Sequence, residues 1–459
     1  MKKKIIKMLG AALLAVIVAF SSSCSQQRDY GEEYNYETDC QHSYYGSVTS
    51  WNKIQSDGEG QYVLKNNYIY YYNTEKKTMT PLCNKSNCLH DMETDESRLD
   101  DCNAYAPSYD DIGDERIQYY DGYIYYVDID WEEGCSLYRV KKDGSKKDKI
   151  FTTDDQMPIY EWLIHRGRFY YSLEIYYNEE DNSDQVYKKC ILKSLELSSN
   201  MKEKKAKVIF ESDEEHSAVE LNQLKAYKNY LCYTFTADTN GVEYNGFESW
   251  VRQIYAPVYL YNIDTEENRE IPVPKGYSET TIIGSVTFME DKMLIKLYDN
   301  VQDVTGDTQN GAYKVPVYSM NYDLTDQKIW LDSIEQGKLV QTYGDYVIIS
   351  DAMFQYLSHI YQQMASPSDL NLIDVLEFKT NVEIYSSDAK RISYFVYPMN
   401  VAGNFNGFGP DGVNVEVDED DDSWSVYELR FEDVLNCKGE EVELEKVSTR
   451  KFGLLNKED

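Results

Sequence analysis

Three cysteines and a histidine crowd one short stretch. It reads Cys83-Asn-Lys-Ser-Asn-Cys88-Leu-His90-Asp91, followed by Cys102-Asn-Ala-Tyr105. Thiolate sulfur and imidazole nitrogen are the ligand set of structural zinc sites. The spacing is not that of a standard finger, because four residues rather than two separate Cys83 from Cys88. The same thiols suit a disulfide in an exported chain, which leaves a third thiol unpaired or joined to Cys40. Metal, disulfide and free thiols all stand as alternatives at this point. In the first two, the expected role is to staple a turn-rich insertion, residues 83–105, that has no core of its own. A catalytic metal needs an open coordination position, and nothing in the sequence indicates one.

Other chemistry is sparse. Serine nucleophile elbows, His-Glu-x-x-His pairs and phosphate loops are absent. The five histidines, His42, His90, His165, His216 and His359, show no spacing that suggests a catalytic base. The acidic run Asp418–Asp422 fails as a calcium loop, since Ser423 replaces the glycine and Leu429 the terminal glutamate. It reads as a solvated hairpin tip. Cys190 and Cys232 sit inside strand patterns, where a thiol behaves as a small buried hydrophobe. Two insertions are aromatic: 240–250 carries Tyr244, Phe247 and Trp250, and 403–412 carries Phe405 and Phe408. Such loops on a rigid scaffold are platforms for sugar or peptide ligands. Between them, residues 351–364 carry Phe354, Leu357, Tyr361 and Met364 on one helical face, with Asp351 as N-cap and Pro367 beyond.

A repeating unit must position these loops. The clearest copy starts at Ile117: Ile-Gln-Tyr-Tyr, an Asp121-Gly122 turn, Tyr123-Ile-Tyr-Tyr-Val, then Ser136-Leu-Tyr-Arg-Val, a Lys142-Asp143-Gly144 turn and Lys149-Ile-Phe. Asp-Gly between aromatic and β-branched runs signals a type I′ hairpin, which needs positive φ at both central positions. Four antiparallel strands in a row make one propeller blade. Turn and aromatic strand recur at Asn66-Asn67-Tyr68, Arg166-Gly167-Arg168, Lys228-Asn229-Tyr230, Glu290-Asp291-Lys292, Gly344-Asp345-Tyr346 and, weakly, Asp411-Gly412-Val413. Downstream strands recur at Val258, Val317, Val382 and Ser425. The expected fold is all-β: a β-propeller of seven four-stranded blades, with six or eight still open, and a short helical insertion near 351–364. Tyr68–Tyr72 and Tyr123–Val127 are nearly unbroken apolar and aromatic runs, as strands covered on both faces are. The 44 tyrosines suit such interfaces, where a buried ring can send its hydroxyl to a partner.

These units resemble the β-propellers of bacterial surface lipoproteins, and are similar to low-density-lipoprotein-receptor-type and TolB-type repeats. The resemblance covers most of the chain after about residue 60. It implies the fold and leaves the activity open, because one fold hosts many functions.

The N-terminus is a targeting signal. Lys2, Lys3, Lys4 and Lys7 precede an apolar run from Met8 to Phe20, short for a membrane span but suited to a signal peptide. Ser21-Ser22-Ser23-Cys24 follows and resembles a bacterial lipoprotein signal, with Ser21 where that family favours leucine. The resemblance implies lipidation of Cys24. The domain plan is therefore signal peptide 1–23, lipidated N-terminus and tether 24–60, and propeller 61–459. Removal of the four lysines takes the formal charge from −34 to −38, which repels nucleic acid. The expected location is the outer face of the cell membrane, with the lipid as membrane contact. The expected role is a non-enzymatic binding module for a peptide, glycan or envelope protein. An envelope lyase or hydrolase with its site in the central channel is the alternative, and a structural subunit a third. Nothing beyond a structural zinc ion is expected as cofactor.

Overall fold

Asp121 and Gly122 both adopt positive φ, 46° and 78°, as the type I′ turn requires. The same holds for Asn66-Asn67 and Arg166-Gly167. Each of these turns reverses the chain within two residues and pairs the aromatic runs on either side. The computed structural model describes residues 29–41, 54–107, 116–130, 134–153, 159–178, 186–212, 217–238, 254–277, 281–299, 314–335, 338–351, 379–398, 413–420 and 423–451.

The hairpins build six four-stranded antiparallel blades. Blade 1 holds β1 (Ile54–Ser56), β2 (Gly60–Lys65), β3 (Tyr68–Asn73) and β4 (Thr78–Pro81). Blade 2 holds β5 (Gln118–Tyr120), β6 (Tyr123–Asp130), β7 (Gly134–Lys141) and β8 (Lys147–Thr152). Blade 3 holds β9 (Ile159–His165), β10 (Arg168–Asn178), β11 (Val186–Glu196) and β12 (Lys207–Glu211). Blade 4 holds β13 (Ser217–Tyr227), β14 (Tyr230–Asp238), β16 (Val258–Asn262) and β17 (Asn268–Glu270), with β15 (Ile254–Tyr255) added to β14. Blade 5 holds β18 (Thr281–Phe288), β19 (Met293–Asp299), β20 (Lys314–Met320) and β21 (Lys328–Glu335). Blade 6 holds β22 (Leu339–Tyr343), β23 (Tyr346–Ser350), β24 (Lys379–Ser386) and β25 (Arg391–Pro398). A C-terminal sheet has three strands, β26 (Val413–Asp420), β27 (Ser423–Leu429) and β29 (Glu445–Lys451). The intervening β28 (Lys438–Glu441) leaves that sheet and lies parallel to β25.

The β-propeller expectation holds, and six blades of four strands stand where seven were expected. The C-terminal sheet is one strand short among the described residues. Blade 1 also departs from the repeat. Its Asn66-Asn67 turn joins the second and third strands, whereas the matching turns of blades 2–6 join the first and second. Strand pairing opens at Ile54, ahead of the boundary at 61 drawn from the repeats. The helix expected over 351–364 lies outside the described residues, apart from Asp351, whose carboxylate accepts the Asn381 amide at 3.0 Å.

Tyr62, Val63 and Leu64 are consecutive and all buried. Neighbouring strand residues point to opposite faces, so both faces of β2 are covered. The core accordingly lies in layers between blades. Inner strands are stitched to one another as well. Gln55 Oε1 accepts the Tyr119 amide at 3.2 Å, and Gln118 Oε1 accepts the Ile164 amide at 2.7 Å while its Nε2 donates to the Ile164 carbonyl. Lys225 Nζ donates to the Val286 carbonyl at 3.1 Å and Thr287 Oγ1 to the Val340 carbonyl at 2.8 Å. Each side chain satisfies a backbone group of the next blade that would otherwise be buried unpaired.

The chain divides into two units between Glu33 and Tyr34. Within the second, residues 34–41 form a strap across the blade turns. The Asp121 amide donates to the Glu37 carbonyl at 2.7 Å, and the Arg166 amide to the Thr38 carbonyl at 2.8 Å. The first loop residue of a two-residue hairpin has no ladder partner for its amide, and the strap supplies one. Asp39 and Arg166 form a buried bidentate pair, Nε–Oδ1 2.8 Å and Nη2–Oδ2 3.1 Å.

His165 completes the anchorage. Its Nδ1 accepts the Cys40 amide at 3.0 Å, and its Nε2 donates to the Lys228 carbonyl at 2.6 Å. The ring is therefore neutral. Burial, against the opposing pull of Asp39, holds its pKa down to about 4. A depressed base contributes stability above its unfolded value of ~6.5 and loses it as pH falls through the folded value. Between pH 6.5 and 4 the loss should approach about 3 kcal/mol. Chemical unfolding of wild type and His165→Gln across this window should show the wild-type curve falling more steeply. Parallel curves would refute the assignment.

Candidate metal centre

The insertion is held at both ends by one residue. Ile69, fully buried in β3, accepts the Leu82 amide at its carbonyl (2.8 Å) and donates its own amide to the Ala104 carbonyl (2.8 Å). The chain leaves β4 at Pro81 and returns beside β3 through a Tyr68–Tyr105 bridge. Cys83 and Cys102 are therefore brought together by the strand that both ends flank. Blade 2 supports the base of the loop. The Gly144 carbonyl accepts the Asn84 amide at 3.2 Å and Asn103 Nδ2 at 2.8 Å. Gly144 has φ +70°, and a Cβ there would lie 2.8 Å from the Cys83 amide nitrogen. Only glycine fits that turn against the insertion.

Inside the loop, a 3₁₀ turn at His90–Met92 and a 3₁₀ helix at Glu96–Asp101 follow each other. Asp95 caps the second, accepting the Ser97 amide at 3.1 Å. Exposed Leu89 and Met92 flank His90 and Asp91, so burial of apolar surface does little to hold this turn. The donor atoms of Cys83, Cys88, His90 and Cys102 lie within 4.8 Å of one another. His90 Nδ1 stands 3.7 Å from Cys102 Sγ. Ligands 2.0–2.3 Å from a tetrahedral zinc are about 3.3–3.8 Å apart; the His90–Cys102 pair has that spacing, and the set as a whole, within 4.8 Å, would draw in slightly around an ion. The His90 amide donates to Cys88 Sγ at 3.4 Å.

Electrostatics act in opposite directions on Cys83 and Cys102. Burial raises the Cys83 pKa, yet hydrogen bonds from the Lys85 and Asn103 amides and from Cys102 and Cys88 outweigh it and bring the thiol below its ordinary value. Cys102 goes the other way, pushed up by burial and then by the charge of Cys83. Burial lowers His90, against the opposing charge of Asp91, and leaves a neutral imidazole of the kind that ligates metal. Metal ligation takes the thiolate form, so a divalent cation bound here would displace the thiol protons.

All four residues singled out in the sequence for this cluster converge. No disulfide is present among the described residues. Cys40, the alternative partner, is buried in another cluster with Leu163, Tyr170 and Cys190. Cys190 and Cys232 are buried within β11 and β14. Cys24 and the aromatic loop residues Tyr244, Phe247, Trp250, Phe405 and Phe408 lie outside the described residues. Sequence reasoning missed Asp91. It is 3% exposed and accepts Arg450 Nε at 2.8 Å and Nη2 at 2.9 Å from β29. The partners are 359 residues apart, and no local pattern joins them.

No protein-family model matches the chain, and no curated protein matches it. Among solved structures, it is similar to a dipeptidyl peptidase 4 of Porphyromonas gingivalis, with a TM-score of 0.42 and 10% identity over 89% of this chain and 54% of that one. A structure from a study of two prolyl endopeptidases gives 0.44 and 11% over 91% and 50%. TolB from Acinetobacter baumannii gives 0.30 and 12% over 82% and 75%. The chain spans about half the length of the two peptidase structures.

Proposed function

We propose that this chain is an exported propeller, anchored at the outer face of the cell membrane through lipidated Cys24. It acts as a binding module for a peptide, glycan or envelope protein, and a structural zinc ion shapes its first insertion. The observation that carries the zinc assignment is the closed donor set of Cys83, Cys88, His90 and Cys102. Four protein ligands fill a tetrahedral zinc and leave no position for substrate, so the metal serves shape rather than turnover. The C-terminal sheet is read as the seventh blade. It lies between blade 6, through Leu429 and Phe431, and blade 1, through Trp424 and Tyr70.

The anchor is supported by the basic, apolar, small-residue and cysteine order of residues 2–24. Ligand contact is assigned to the aromatic loops at Tyr244, Phe247, Trp250, Phe405 and Phe408. Wild-type protein should partition into detergent, and Cys24→Ala should appear in the medium. On glycan and peptide arrays, the released chain should capture a defined subset, and alanine at Tyr244, Phe247 and Trp250 together should reduce that capture at least tenfold. Membrane retention of Cys24→Ala overturns the anchor; unchanged capture overturns the role of the 240–250 loop.

A further inference from the structure

We infer that the metal centre is also the latch of the ring: a zinc ion on Cys83, Cys88, His90 and Cys102 holds Asp91 where it clasps Arg450, coupling metal binding to closure between blade 1 and the C-terminal sheet. This rests on the zinc assignment above.

The coupling runs through one peptide unit. His90 and Asp91 are consecutive in a single 3₁₀ turn. His90 has φ 54°, a left-handed conformation that costs free energy for a residue with a side chain. Its ring faces Cys102 and its amide faces Cys88, at 3.7 and 3.4 Å. Ligation would fix both ends of that residue, and Asp91 follows with little freedom left. The Asp91 side chain is 2% exposed. It takes Arg450 in a bidentate grip and the Tyr70 hydroxyl at 3.1 Å. The Arg450 guanidinium lies 5.1 Å over the Tyr70 ring and donates from Nη1 to the Met79 carbonyl at 3.4 Å. Groups from β3 and β29 thus meet on one carboxylate that the metal loop delivers, and β4 holds the guanidinium from its other side.

The seam has no ladder to replace this contact. Among the described residues, no strand of blade 1 pairs with a strand of the C-terminal sheet. Closure there is by side chains: Trp424 against Tyr70, with ring centroids 5.2 Å apart, Val426 and Val447 buried in the same cluster, the exposed Lys77–Glu445 pair, and the Arg450 clasp. Coupling free energies are reciprocal. If zinc holds the clasp, loss of the clasp must weaken zinc by the same factor.

The test measures zinc affinity of the full mature chain by competition with a chromophoric chelator. Arg450→Gln should bind zinc about tenfold more weakly than wild type. Lys77→Gln removes the exposed 2.6 Å pair with Glu445 at the same seam without touching Asp91, and should bind zinc as wild type does. Hydrogen exchange of wild type covers the case in which Arg450→Gln fails to fold. Stripping zinc should accelerate exchange at 445–451 about tenfold and leave blades 3–5 unchanged. Zinc affinity within twofold of wild type in a folded Arg450→Gln overturns the latch, and so does unaltered exchange at 445–451. A wild-type chain that binds no zinc overturns the metal assignment itself, a different and separately visible result.

Discussion

Cys83→Ser is expected to purify without zinc, whereas anaerobically purified wild type carries one zinc per chain. Structural zinc sites bind with about 10–16 kcal/mol in small peptides. At an equal share of that energy, loss of one of four ligands should weaken affinity by roughly a hundredfold to a thousandfold. Cys83 is the ligand to remove, because the amides of Lys85 and Asn103 converge on its sulfur and favour its thiolate. The structural consequence should be local. Between Cys83 and Cys102 only Asp91 and Glu93 are buried, too little surface to offset the entropy of ordering such a loop. Proteolysis should therefore cut within 84–101 in the variant and spare it in wild type. The far blades should keep their denaturation profile, since repeat architectures draw stability from neighbour packing. Elemental analysis and limited proteolysis read both effects. Equal zinc in variant and wild type would sink the assignment.

Breaking the strap should be as costly in folding stability as any single change within residues 34–41. Asp39→Ala is expected to destabilise the fold by about 3–5 kcal/mol, because it leaves one member of a buried ion pair without its partner. The side chains of Arg166 and Asp39 are 4% and 0% exposed. Without the carboxylate, the guanidinium keeps Asn229 as a side-chain partner, which does not balance its charge. Arg166 also sits at φ 46° in its turn, so the turn and the pair are bound to fail together. The double variant Asp39→Leu with Arg166→Met removes both charges, and should recover a large part of the loss. Urea unfolding of the three proteins decides the point. A loss under 1 kcal/mol in Asp39→Ala would show that residues 34–41 rest on the blades without holding them.

The sequence alone determined everything that local stereochemistry can specify. Asp121-Gly122 announces a hairpin because the type I′ turn demands positive φ at two adjacent residues, and the structure has it there. Unbroken aromatic strands such as Tyr68–Asn73 announce cover on both faces, and the interblade layers provide it. Cys83, Cys88, His90 and Cys102 were legible as one cluster because a single loop carries them all. Their orientation was not. Whether His90 turns toward the sulfurs depends on Ile69 clamping both ends of the loop and on Gly144 admitting its backbone, and both lie outside the motif.

Tertiary structure alone decided how the chain ends meet. The expectation of seven blades came from counting turns, and a turn count cannot see which strand a turn joins. Blade 1 carries β1 ahead of its repeat, and the C-terminal sheet yields β28 to blade 6. The residues that secure the closure and the strap, Asp91 with Arg450 and Asp39 with Arg166, are separated by 359 and 127 residues. Turn preference and strand period act over a few neighbours. A buried charge pair is selected by the cavity that two distant segments make together, and that cavity exists only once the chain has folded.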